Sequence, residues 1–142
     1  MPTEFAECSE IIEECYEFTL SYAAQGHASD DGSPQGRLLR DHLERAVEAM
    51  RGLEAALGAE IGGNRLTPVE RYEAFFAVLA RDAADSVAAV ELVLAQPAIG
   101  SQLIDNLNAS IHLRALLTDL FLVAEVLEAQ QARAAASHHE VA

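Results

Sequence analysis

Lysine is absent from this chain. All nine basic residues are arginine. That removes the amine of Schiff-base chemistry and the lysine of a Walker-type phosphate loop. Cysteine is nearly absent, at two residues, Cys8 and Cys15. On one helix their spacing of seven gives roughly 10 Å of rise. A disulfide needs Cα atoms within about 7 Å, so the two cannot pair with each other. No apolar run reaches the roughly 18 residues of a membrane span. The start, Met1-Pro2-Thr3-Glu4, has neither the basic nor the apolar region of a secretory signal. The expected compartment is therefore the cytoplasm. No segment alternates with the period of a strand, and there is no internal repeat.

What the chain has in excess is negative charge. Its 142 residues carry 23 acidic and nine basic side chains, for a formal charge of −14. Such a field opposes binding to nucleic acid or to an anionic membrane. It suits a basic partner or a cation. The length suits one domain that can bury a core without disulfides.

Four amphipathic segments are expected, over about 4–25, 34–58, 68–95 and 101–133, forming one domain over residues 1–136 with a frayed tail at 137–142. In the first, Phe5, Cys8, Ile12, Cys15, Thr19 and Tyr22 fall at alternating spacings of three and four, the stripe of a bundle seam. Glu7, Glu10, Glu14 and Glu17 lie opposite. Ser33-Pro34 opens the second, whose stripe is Leu39, Leu43, Ala46, Met50, Leu53 and Leu57. Thr67-Pro68-Val69-Glu70 has the form of a capping box for the third, which carries Tyr72, Phe76, Leu79, Ala83, Val87, Val90 and Leu94 on one face. Short loops make sequential helices antiparallel neighbours. The fold class is all-α, an up-down-up-down four-helix bundle.

The fourth segment differs. From Leu113 to Leu127 it is apolar almost all round, and its earlier stripe (Leu103, Ile104, Leu107, Ile111) is rotated from the later one. One polar line remains: Ser101, Asp105, Asn108, His112 and Asp119. A helix apolar on most of its circumference asks for more cover than three neighbours give. The expectation is a homodimer or larger assembly, with Leu113, Leu116, Leu117, Leu120, Phe121, Val123 and Leu127 at the interface.

Candidate sites are few. Cys8 and Cys15 read as small buried hydrophobes. The glutamate face of the first helix, in a stretch of 31 residues with eight acids and no base, reads as a solvated face or as a docking surface for a basic protein. Arg37, Arg40 and Arg51 could meet such a face within an assembly. His42 and His112 fall at similar heights on parallel helices, with Glu14, Asp82 and Asp85 near that level. Imidazole and carboxylate from several helices hold transition metals in ferritin-like bundles, so His42, His112, Glu14 and Asp85 form an alternative metal or redox set. The Glu-x-x-His pairs of such bundles are missing.

The run Arg37-Leu38-Leu39-Arg40-Asp41-His42 is similar to the Arg and His motif of HEPN-type ribonucleases, which are also small dimeric helical bundles. The resemblance implies RNA cleavage, with His42 as general acid and base and Arg37 steadying the phosphate. No Ser-His-Asp set, glycine-rich phosphate loop, zinc-finger or EF-hand pattern occurs, and no cofactor is implied. The reading that follows is a non-enzymatic acidic bundle acting through protein–protein contact, as an adaptor, accessory or inhibitor-like partner.

Overall fold

The computed structural model describes residues 3–62 and 66–141, with side chains described as far as residue 136. It is all-α. Five helices follow in order: α1 (Glu4–Ala24), α2 (Pro34–Gly62), α3 (Val69–Leu94), α4 (Ser101–Ala109) and α5 (His112–Val141). Among the described residues, no helix is long and apolar enough to cross a membrane.

Local signals set most of the boundaries. Thr3 accepts a hydrogen bond from the Ala6 amide at 3.1 Å and caps α1. The hydroxyl of Ser33 takes the Gly36 amide at 3.0 Å, with Pro34 in the first turn of α2. The expected capping box at Thr67 does not form. Pro68 occupies the cap position of α3 without any side-chain bond to the first turn. Helix α2 runs on to Gly62, past the expected stop near residue 58. Gly63 and Asn64 lie outside the described residues.

The largest departure from expectation is the fourth segment, which is two helices. The Ser110 amide is shared by Asn106 O and Leu107 O, and its hydroxyl bonds Leu107 O at 2.5 Å. Ile111 then adopts φ +66°. That left-handed turn re-aims the chain, so the stripes before and after it each face inward, which accounts for their rotation in the sequence. A β-branched residue in this region is strained by about 1–2 kcal/mol, and Ile111 is exposed, so its side chain returns little burial. Ile111→Gly is expected to stabilise the protein by about 0.5–1 kcal/mol once the greater chain entropy of glycine is subtracted. A thermal midpoint unchanged or lowered would contradict this. At the other end, α5 continues to Val141 instead of fraying after Arg133.

Helix α1 packs on α2, α2 on α3, and α3 on α5, while α4 and α5 together fill the space between α3 and α1. Helices α2 and α5 stand diagonally, with no close approach of their backbones. Fully buried Ile12, Leu39, Leu43, Leu53, Leu79, Ile104, Leu116 and Leu120 form the centre. The greasy circumference of the fourth segment is accommodated there. Leu113, Leu116, Leu117, Leu120, Val123 and Leu127 are all buried within one chain. Six of the seven residues expected at a dimer interface are therefore core, because the turn at Ile111 lets α5 lie more deeply between α1 and α3 than a straight helix could. Phe121 alone of the seven faces outward, at 54% exposure, beside exposed Leu122.

Candidate interaction groove

The two ends of the bundle are built differently. At the end holding the 25–33 and 95–100 loops, polar groups are closely interlocked. Asp30 is 6% exposed. Its Oδ2 accepts from Arg40 Nε at 2.5 Å, and its Oδ1 accepts from the Ile99 amide at 2.7 Å. Arg40 also donates to Leu94 O at 3.2 Å and Gln96 O at 3.0 Å, closing the last carbonyls of α3. Tyr22 donates to Ile99 O, and Ser101 bridges the Tyr22 carbonyl and the His27 amide. The Arg40 guanidinium, with the Ile99 amide, holds the Asp30 carboxyl below the usual range. Two glycines permit this closeness. A Cβ on Gly36 would stand 1.9 Å from Asp30 O, and one on Gly100 would stand 2.8 Å from Ala28 O. Since these groups bond one another, the network reads as a structural clasp.

The sequence-derived metal set is not assembled. His42 stacks on Phe18, with ring centroids 4.6 Å apart, on the side of α2 that faces α1. His112 opens α5 and is exposed, its carbonyl taking the Ser86 hydroxyl at 3.0 Å. Glu14 and Asp85 are exposed on separate helices. Among the described residues, no three His, Cys, Asp or Glu side chains converge as a metal site. The diagonal separation of α2 and α5 is the physical reason. Arg37 is exposed while His42 is covered by Phe18, so the ribonuclease-like pair does not line a common pocket. Arg40 belongs to the clasp, and Arg51 pairs with Glu91 at 2.8 Å. Cys15 is buried, and burial pushes its thiol up to about 12, which leaves it protonated and inert. Cys8 is half-buried, and both thiols are free.

The polar line of the fourth segment divides. Asp105 and His112 are exposed, whereas Asn108 and Asp119 are buried. Thr19 donates to Tyr16 O at 2.8 Å and lies 3.1 Å from the Asn108 amide. That contact is to Asn108 Oδ1, and the buried Asn108 Nδ2 has no hydrogen-bond partner among the described residues. Asp119 is stranger. It is 8% exposed, one oxygen lacks any partner, and its neighbour is another carboxyl, Asp82 of α3. Burial first, then the hydrogen bond and like charge of Asp82, push its carboxyl up to about 7.

The opposite end of the bundle is open. Between the first half of α1 and the middle of α5 runs a groove of about 720 Å³. Exposed Phe121 and Ala124 supply apolar surface over a floor of buried Phe5, Leu117, Leu120 and Leu127. Glu10 and Glu13 on α1, Glu60 on α2 and Glu128 on α5 supply carboxylates beside the neutral Thr3 and Gln131, and among the described residues no arginine lines it. The buried Ser9 hydroxyl within it has no hydrogen-bond partner among the described residues. Sequence reasoning found the glutamates of α1 but not the groove beside them, whose walls come from residues far apart in the chain. Compared with family models, curated proteins and solved structures, the chain finds no match in any of the three.

Proposed function

We propose that the protein is an up-down bundle, its fourth position shared by α4 and α5, that acts by protein–protein contact and takes a basic amphipathic helix of a partner into the α1/α5 groove. The observation that carries this reading is an apolar surface whose charged neighbours among the described residues are all carboxylates, with Phe121 held out at 54% exposure. A helix laid in a groove is anchored by apolar residues at i, i+3, i+4 and i+7. The flanking positions of that helix would be Arg or Lys to meet Glu10, Glu13 and Glu128. The α5 wall from Leu117 to Gln131 has a rise of about 21 Å, which fits a partner helix of about four turns. A second copy fits less well, since a chain with 23 acids and nine bases brings more carboxylates to the same rim. The role is that of an adaptor, accessory or inhibitor-like protein.

The test uses two designed amphipathic peptides with the same leucine face, one with lysine flanks and one with glutamate flanks. The lysine peptide is expected to bind, and to weaken with salt. Phe121→Glu separates groove binding from general attraction. It adds negative charge, so a purely Coulombic association would tighten, whereas seating in the groove is expected to weaken at least tenfold, as for a central apolar anchor. Equal binding of the two peptides, or tighter binding to Phe121→Glu, would overturn the reading. Self-association seen by light scattering and abolished by Phe121→Glu would overturn it in favour of a homodimer.

A further inference from the structure

A second concavity lies on the other flank of α5, against the start of α3, and encloses about 330 Å³. Tyr72, Phe75 and Phe76 wall it from α3, and Leu122, Val126 and Leu127 from α5. Tyr72 and Phe76 meet with centroids 6.2 Å apart, and all three aromatic rings are only half-buried. The volume is at the small end of the roughly 300–1,000 Å³ typical of small-molecule sites, which are likewise mostly apolar with a few placed polar groups.

The polar groups here share one sign. Arg71 lies at the lining and is exposed, and among the described residues its guanidinium has no ion-pair partner. That is notable on a molecule with a formal charge of −14. Pro68, also in the lining, is the cap residue of α3 and offers no side chain to its first-turn amides. Those amides carry the positive end of the helix dipole. A neutral apolar molecule would leave the arginine unused, and a cation would meet it unfavourably.

We propose that this cavity binds a small apolar carboxylate, one ring or a short alkyl chain inserted among Phe75, Phe76 and Val126, with its carboxylate on Arg71. Carboxylate and guanidinium match in a two-pronged fork that lysine could not reproduce. The site is independent of the α1/α5 groove, except that Leu127 forms part of both walls.

The test uses three probes of one shape, 4-phenylbutyrate, its amide and 4-phenylbutylamine, titrated at millimolar concentration and followed by NMR of the aromatic side chains. The acid is expected to give saturable shifts at Phe75 and Phe76 and to bind more tightly than the amide, with the amine weakest. Arg71→Gln is expected to weaken the acid about tenfold, the size of a lost charge-assisted hydrogen bond, and to leave the amide unchanged. Val126→Trp should fill the cavity and abolish binding of acid and amide alike, with the fold checked by its thermal midpoint. Equal affinity for acid and amide in the native protein, no response to Arg71→Gln, or no saturable shift with any probe would each overturn the proposal.

Discussion

Arg40→Ala should lower the stability of the folded chain by about 3 kcal/mol, measured as a shift of the urea midpoint. Breaking a buried ion pair from one side typically costs 3–5 kcal/mol, because the remaining charge keeps its desolvation cost without its partner. The low end applies here since Arg40 is itself about a third exposed, at 31%. The substitution strands Asp30 with one amide and leaves the carbonyls of Leu94 and Gln96 without their donors. For a domain of this size the thermal midpoint should fall by roughly 10 °C. Arg40→Lys should recover only part of the loss, since one ammonium cannot span the three acceptors. The pH dependence has a definite sign. Arg40 depresses the Asp30 carboxyl, so its contribution is present above the ordinary aspartate value near 4 and disappears as pH falls through the depressed folded value. The gap between native protein and variant should therefore narrow in acid. A gap constant across that range would place the effect in packing instead of charge.

Asp119→Asn should do the reverse and stabilise the protein, increasingly so from pH 5 to pH 8. The Asp119 carboxyl titrates at about 7 when folded and near 4 when unfolded. Between those values the folded state holds a proton that the unfolded state has released, so this contribution to stability falls as pH rises. Above about 7 both states are ionised and the loss is complete. Each unit of difference corresponds to about 1.4 kcal/mol, so the variant should gain roughly 2 kcal/mol at pH 8 relative to its effect at pH 5. Asparagine keeps a donor for Asp82 in place of the carboxyl proton of Asp119. Stability curves of native and variant protein running parallel from pH 5 to pH 8 would show that Asp119 does not titrate in this range.

The core of this protein is readable from spacing alone. Phe5, Ile12, Cys15, Thr19 and Tyr22 of α1, and Leu39, Leu43, Ala46, Met50, Leu53 and Leu57 of α2, are buried as the stripes imply, whereas Cys8 of α1 and Tyr72, Phe76, Val87 and Leu94 of α3 are only half-buried. Period finds these residues because burial of a helix face is a local property. The break at Ser110-Ile111 escaped because Ser110 is a lone turn-former inside a helical pattern and Ile111 is β-branched, a residue rarely found at positive φ. The only trace was the change in phase between Leu107 and Leu113. The clasp escaped for another reason. Asp30 and Arg40 lie ten residues apart and meet the backbone of a loop some sixty residues on, and no spacing rule encodes that. Treating the fourth segment as one straight rod led to the interface assignment for Leu113 to Leu127, where a bent path supplies the cover internally. The metal set failed because equal height on two helices is not proximity when those helices stand at opposite corners.

Past Leu127, the last deeply buried side chain among the described residues, α5 changes character. Residues 131–136 are exposed throughout, and four of those six are alanine. An isolated helix of that length would be marginal in water, because the first turn is costly to nucleate. Here the buried portion supplies that turn, and alanine propagates it well. Such a stub loses ellipticity gradually on warming, turn by turn from its far tip, while the bundle beneath still melts as one unit. Its reach is thus set by temperature, where the rest of the molecule is simply present or absent.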